Sequence, residues 1–116
     1  MRASRPFENL RRKENDMTTS QERWNITDEQ RDKLISGLVP ELKTLRVKAN
    51  ITQDDLAKVI GLSRQTYCQI ENGNKGMSWN VYLSLIFFFR SIEETSKLMD
   101  ALGVYPTDLV EQISGN

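Results

Sequence analysis

The chain has 116 residues, of which 38% are hydrophobic and 28% charged, a composition typical of one soluble globular domain with a tail. Sixteen basic residues balance sixteen acidic ones, and the chain has no His and a single Cys. This composition excludes a His-based catalytic triad, a zinc site built from His or several Cys, and an internal disulfide.

The zero net charge conceals charged blocks along the chain. Residues 1–13 and 43–75 are net basic, whereas residues 14–42 and 90–116 are net acidic. A basic block favours a polyanionic partner, because neutralising phosphates supplies most of the non-specific affinity for nucleic acids. The simpler interpretation is that such blocks are solvated protein surface.

Membrane and export signals are not evident in the sequence. The longest strongly apolar stretch, residues 79–89, is interrupted by Asn80 and Ser84, and a membrane-spanning helix needs about 20 residues. The basic N-terminus is not followed by the apolar core of a secretory signal. We therefore expect a cytoplasmic protein without a membrane partner.

Residues 1–26 are predicted to form a flexible polar arm, and residues 27–116 a helical domain. The arm has few apolar residues, and they follow no sustained period. Its cations can either contact DNA or remain part of a solvated tail; they are Arg2, Arg5, Arg11, Arg12 and Lys13.

The first helix is predicted to begin at Asp28, because Thr27 and Gln30 have the spacing of a capping box. A repeat at intervals of three and four residues then marks one buried face. It consists of Leu34, Leu38, Leu42 and Leu45. Pro40 interrupts the pattern, so the helix either kinks there or gives way to a new helix with Pro40 in its first turn.

Two short helices follow, separated by only three residues. Thr52 is the predicted cap of the first, which Gly61 ends, and Ser63 is the predicted cap of the second, residues 64–72, which Gly73 ends. This spacing predicts a helix-turn-helix over residues 53–72.

Three further helices complete the predicted domain. Ser78 is the expected cap of a helix over residues 79–89, and Ser91 with Glu94 forms an apparent capping box for a helix ending at Leu102. Pro106 is expected to open a last short helix, whose apolar side would be Leu109, Val110 and Ile113. No run of residues alternates with a period of two. The predicted fold is all-α, a bundle of five to six helices.

The helix-turn-helix segment resembles the Cro/lambda-repressor-like (XRE-type) DNA-binding family. The resemblance is strongest in the stretch 52–73, at Thr52-Gln53, Leu56-Ala57, Gly61, Ser63, Glu71 and Gly73. Residues 42–46 look like the first helix of that family and residues 101–104 like the end of its last core helix. The resemblance covers roughly residues 38–104.

The resemblance implies that the helix over residues 64–72 lies in the major groove of double-stranded DNA. Arg64 has two donors for guanine, and Gln65 or Gln69 can pair with adenine. Phosphate contacts are expected from the start of the preceding helix at Gln53 and from Lys75 beyond the reading helix. The full expected DNA-binding set is Gln53, Ser63, Arg64, Gln65, Thr66, Gln69, Asn72 and Lys75, with Asn74 also near the backbone.

The family pattern also suggests a structural ion pair between Arg46 and Glu71, without a catalytic role. Tyr67 departs from the family, which usually has a smaller aliphatic residue there. Either the Tyr67 ring fills a wider gap in the core or its hydroxyl reaches the surface. Cys68 has no second thiol to pair with.

The helix over residues 79–89 has too many apolar residues for one buried face. Extending the polar stripe of Asn80 and Ser84 leads to Phe87 and Phe88, so one of these two rings should be exposed in a monomer. Either later helices cover the ring or it belongs to a homodimer interface. A homodimer would suit a two-fold operator with half-sites about 34 Å apart.

We expect a sequence-specific transcriptional regulator, a repressor or activator, with neither enzymatic activity nor a metal or other cofactor. An alternative is an antitoxin that binds its toxin protein through the arm or the acidic C-terminus and regulates its own gene. A third reading is a helix-turn-helix adaptor that has lost DNA binding, which the zero net charge permits.

Overall fold

The computed structural model of the chain describes residues 24–115. In this part every element of regular secondary structure is a helix, and turns and loops connect the helices. The all-α class is therefore confirmed. The α-helices of the described part are α1 (Asp28–Leu38), α2 (Leu42–Lys48), α3 (Gln53–Ile60), α4 (Arg64–Glu71), α5 (Trp79–Arg90), α6 (Glu93–Leu102) and α7 (Thr107–Ser114).

Two compact units make up the chain. Asp28–Tyr105, with α1 to α6, forms one unit, and α7 belongs to the other. Most of the predicted arm, with its five cations, lies outside the described residues. The boundary between an arm and a domain near residue 27 stays a prediction.

The break at Pro40 separates α1 from α2. Val39–Glu41 forms a 3-10 turn with Pro40 in its first positions. Proline has no backbone N–H and its ring clashes with the preceding helical turn, so α1 ends at Leu38 and a new helix follows. This break explains why the described residues contain seven α-helices where the sequence predicts five or six.

Three of the predicted helix caps are confirmed. A hydroxyl oxygen accepts a hydrogen bond from the backbone N–H three residues later at Thr52 (3.1 Å), Ser63 (3.1 Å) and Ser78 (3.2 Å). Each cap satisfies a backbone donor that has no partner within the helix. The sequence therefore places the starts of α3, α4 and α5 correctly.

The predicted capping box of Ser91 and Glu94 is wrong. The Ser91 hydroxyl instead donates to the carbonyl of Phe88 (2.7 Å) and lies at the end of α5. Helix α6 begins at Glu93, after Ile92, without a side-chain cap. Buried Thr95 donates its hydroxyl to the carbonyl of Phe89 (2.5 Å) and so links the two helices. Because α5 runs to Arg90, Ser91 is needed to close it.

The hydrophobic core of the larger unit brings α1 to α6 together. Leu38, Leu42 and Leu45 are fully buried, as the helical repeat predicts, and Leu34 is half-buried against them. Burying one such leucine contributes about 1.5–3 kcal/mol. The remaining core side chains are Leu56, Ala57, Tyr67, Ile70, Met77, Tyr82, Leu85, Ile86, Phe89 and Met99.

Helix α7 buries less of its apolar side than the sequence predicts. Pro106 precedes the helix as expected, and Leu109 is buried. Val110 and Ile113 remain 40% and 38% exposed. The predicted apolar side is thus only partly buried.

The three-residue elbow between α3 and α4 is closed by backbone hydrogen bonds. Gly61 adopts a left-handed conformation (φ +81°), and the N–H of Leu62 donates to the carbonyl of Ala57 (2.8 Å). The Leu62 side chain packs against the core. Glycine is favoured at this position because a left-handed backbone strains other residues. The elbow therefore fixes α4 relative to α3.

We expect Gly61→Ala to destabilise the protein by about 1–2 kcal/mol, because the added Cβ meets no neighbour and the cost is that of the left-handed backbone alone. Gly37→Ala is the matched control: it lies within α1, its Cβ also meets nothing, and alanine there should stabilise by about 0.5–1 kcal/mol. Urea unfolding measures both. Equal effects of the two substitutions would contradict this interpretation of the elbow.

Candidate nucleic-acid interface

Helix α4 has one buried and one exposed face. Tyr67 and Ile70 are buried in the core, whereas Arg64, Gln65 and Gln69 are exposed. Gln65 and Gln69 lie one helical turn apart and share a face. A cation and two amide side chains are thus presented together to solvent.

Ser63 and Thr66 bind to each other at the start of α4. The Ser63 hydroxyl donates to Thr66 Oγ1 (2.9 Å), and Ser63 Oγ accepts from the Thr66 N–H (3.1 Å). Thr66 is half-buried. This pair therefore caps the N-terminus of α4, next to the exposed Arg64 and Gln65.

The segment after α4 folds back onto the helix end. The carbonyl of Gln69 accepts hydrogen bonds from the N–H groups of Asn74 (2.8 Å) and Lys75 (3.2 Å). Asn72, Asn74 and Lys75 are all exposed. Lys75 is therefore held close to the C-terminal end of the face that carries Gln69.

The Gln53 side chain is half-buried and turned towards the protein. Its Nε2 donates to Glu71 Oε1 (3.0 Å), and its Oε1 accepts from the Cys68 thiol (3.1 Å). These contacts leave one Nε2 hydrogen for a phosphate. Asp54 and Asp55 add negative charge to the same first turn of α3. The side chain thus has a structural role that sequence reasoning missed.

Arg46 on α2 and Glu71 on α4 form the ion pair that the family pattern suggests. Arg46 donates from Nε to Oε2 (2.8 Å) and from its terminal nitrogen to Oε1 (3.1 Å) of the carboxylate. A third guanidinium hydrogen bond reaches the carbonyl of Ile51 (3.1 Å). The Arg46 and Glu71 side chains are 13% and 3% exposed. The pair is therefore almost completely removed from water.

Tyr67 joins the same carboxylate from within α4. Its ring fills the core, as one sequence alternative holds, but its hydroxyl does not reach the surface and instead donates to Glu71 Oε2 (2.6 Å). The four-residue spacing of Tyr67 and Glu71 was the available signal, because such residues are neighbours on a helix. Glu71 therefore receives hydrogen bonds from three side chains.

This arrangement shifts the pKa values of its members in opposite directions. Burial alone would raise the pKa of Glu71, but the hydrogen bonds from Arg46, Tyr67 and Gln53 outweigh it and lower that pKa below 4.5. Burial and the hydrogen bond to Glu71 raise the pKa of the Tyr67 hydroxyl. The hydrogen bond to Glu71 raises the pKa of Arg46. Glu71 is thus ionised and Tyr67 neutral at physiological pH.

Helix α5 exposes one aromatic ring, as the sequence predicts. Phe87 is 76% exposed, whereas Phe88 is half-buried and packs edge to face against Phe89 (5.3 Å between ring centroids).

Among residues 24–115, no helix has the length and apolar content for a bilayer crossing. Nor do these residues contain a group of three or more His, Cys, Asp or Glu suited to a metal ion.

Comparisons with known proteins match the segment that carries this geometry. A family model described as helix-turn-helix matches residues 42–77, from the start of α2 to just beyond Lys75. The chain is 43% identical over 49 residues to an uncharacterized HTH-type transcriptional regulator of Methanocaldococcus jannaschii. That alignment covers 42% of this chain and 74% of the relative. No solved structure matches the chain.

We expect Glu71→Gln to destabilise the protein by about 3 kcal/mol at neutral pH, because it leaves the Arg46 guanidinium buried without a counter-charge. A lowered pKa stabilises the folded state above the ordinary value of 4.5, and this stability is lost as the pH falls through the lower folded value. The difference between wild type and variant should therefore shrink on acidification.

Urea unfolding at several pH values measures this difference. Glu94→Gln, which removes an exposed carboxylate of α6, should remain near wild type at neutral pH. A Glu71→Gln penalty that stayed constant down to strongly acidic pH would contradict the role assigned to the ionised carboxylate.

Proposed function

Because the chain belongs to the XRE-type helix-turn-helix family, we propose that it is a DNA-binding transcriptional regulator that reads the major groove with α4. The observation that carries the proposal is the division of α4 into a core-packed face and an exposed face with Arg64, Gln65 and Gln69. The relative's printed name, an HTH-type transcriptional regulator, supports the same role.

The exposed side chains have the chemistry for direct base readout. The planar Arg64 guanidinium can donate two hydrogen bonds to guanine O6 and N7, and the amides of Gln65 and Gln69 can each pair with adenine N6 and N7. Arg64 lies at the N-terminal end of α4, the end that enters the groove in this class of motif. Thr66 and Ser63 stand beside it at the same end.

Residues on either side of the exposed face of α4 are proposed to contact phosphates. Lys75 supplies an exposed positive charge, and Asn72 and Asn74 add amides near the end of α4. Gln53 lies at the start of α3 and can donate its remaining Nε2 hydrogen. Such contacts fix the position of a protein on DNA without selecting a sequence.

We propose that the protein acts as a homodimer in the cytoplasm and has no enzymatic role. Two copies present two α4 helices, which suits an operator whose half-sites are about one helical turn, 34 Å, apart. Phe87, exposed on α5, supports self-association.

Selection of bound sequences from a random pool of duplexes tests the proposal. We expect enrichment of a common motif and affinity that falls steeply with salt, because bound phosphates release counterions. Binding that neither selects a motif nor depends on salt would contradict DNA reading and favour a protein adaptor.

Two substitutions separate the roles of individual side chains. Gln65→Ala should cost about 1–3 kcal/mol on the selected motif and relax the preference at one base pair. Lys75→Ala should weaken binding to all sequences and reduce the salt slope by about one. Lys97→Ala, an exposed lysine on α6, is the control and should change neither property. Equal losses on selected and random DNA for Gln65→Ala and Lys75→Ala would refute this assignment.

A further inference from the structure

The side-chain amide of Gln53 is held at both of its polar atoms by helix α4. Its Nε2 donates to Glu71 Oε1 (3.0 Å), and its Oε1 accepts a hydrogen bond from the Cys68 thiol (3.1 Å). An ionised carboxylate only accepts hydrogen bonds, whereas a thiol has one hydrogen to donate. Both contacts therefore require the same assignment of the amide oxygen and nitrogen, and together they leave one Nε2 hydrogen unused.

The contact with Cys68 limits the rotation of this amide. The terminal torsion angle of a glutamine side chain has only a weak preference of its own. With the bond to Glu71 alone, the Gln53 amide could pivot about that bond, and the unused hydrogen would then take many directions. The bond from Cys68 holds the oxygen at the other end of the amide group. Two anchors therefore fix the amide plane, which one anchor does not.

The position of this contact joins two parts of the candidate nucleic-acid interface. Gln53 is the first residue of α3, and Cys68 lies within α4, directly before the exposed Gln69. A neutral donor binds a phosphate oxygen well only when its hydrogen points at that oxygen, because hydrogen bonds weaken steeply as they bend. Holding the donor in place before binding also reduces the entropy that is lost on binding. The direction of the unused Gln53 hydrogen therefore matters for DNA affinity.

We propose that Cys68 is a positioning residue for DNA binding, whose thiol holds the Gln53 amide so that the unused Nε2 hydrogen stays directed at a phosphate of the DNA backbone. The inference rests on the proposed function and adds a side chain that acts through Gln53. The thiol hydrogen carries this role, since it is the group that bonds the amide oxygen. Neither oxidation of the thiol nor a ligand bound to it is involved.

Binding of the full-length chain to a selected duplex and to a random duplex tests this role. Cys68→Ala should weaken both complexes by the same factor, about twofold to tenfold, which corresponds to one neutral hydrogen bond. The salt slope should not change, because a neutral amide, unlike a lysine, displaces no counterion from a phosphate. A general disturbance of α4 would instead weaken the selected complex more than the random one, since base readout depends on that helix.

Two further variants connect the loss of affinity to the hydrogen bond. Cys68→Ser keeps a donor at this position and should bind both duplexes more tightly than Cys68→Ala does. Gln53→Ala removes the group that is held, so Cys68→Ala should cause no further loss in that background. Circular dichroism verifies that each variant folds. A Cys68→Ala chain that binds as wild type does, a loss confined to the selected duplex, or an equal loss with and without Gln53 would overturn the proposal.

NMR relaxation of the side-chain amides in the DNA-free chain distinguishes this inference from the function on which it rests. We expect the Gln53 amide to be rigid in wild type, with an order parameter near about 0.85, and mobile in Cys68→Ala, below about 0.6. The exposed amides of Gln65 and Gln69 on the same helix are internal controls and should not change.

The two measurements can fail separately. A Gln53 amide that is rigid only with the thiol present, in a chain without salt-dependent affinity for duplex DNA, supports the orienting contact and refutes the proposed function. Motif-selective, salt-dependent binding by a chain whose Gln53 amide is equally mobile with and without the thiol supports the function and overturns the role of Cys68.

Discussion

The carboxylate of Glu71 is the interaction on which the arrangement of the helix-turn-helix depends. It receives hydrogen bonds from Arg46 on α2, Gln53 on α3 and Tyr67 on α4, and so joins three helices at one buried point. Burying a charge is costly, and the cost is offset only when the partners are placed well. Apolar packing tolerates small shifts between helices, whereas these short directional bonds do not. The carboxylate therefore holds α2, α3 and α4 together at one buried point.

This arrangement separates the parts of α4 that hold the fold from the parts available for recognition. Tyr67, Ile70 and Glu71 point into the protein, and Arg64, Gln65 and Gln69 point away from it. Outer side chains can change without loss of core contacts, which suits a surface that must match one particular ligand. Gln53 is the exception, since its amide bonds both Glu71 and the Cys68 thiol while one of its hydrogens remains for an outside partner.

Helix α5 links the core to an exposed apolar surface. Its inner side supplies Tyr82, Leu85 and Phe89 to the core, and its outer side leaves Phe87 exposed beside the end of α3. A helix that is apolar on nearly every side requires burial on more than one. In this chain the second apolar side adjoins the helix-turn-helix at the end of α3.

The sequence alone determined the local features of this protein, and the tertiary structure decided which of them work together. Thr52, Ser63, Gly61 and the leucine repeat predicted helix ends and buried faces correctly, because caps, left-handed turns and helical periodicity act over a few residues. The false capping box at Ser91 shows the limit, since the competing role of closing α5 depends on where that helix ends. The family resemblance paired Arg46 with Glu71, but the inward turn of Gln53 and the apolar surface between α3 and α5 join residues distant in the chain. Packing decides such contacts, and no local pattern records them.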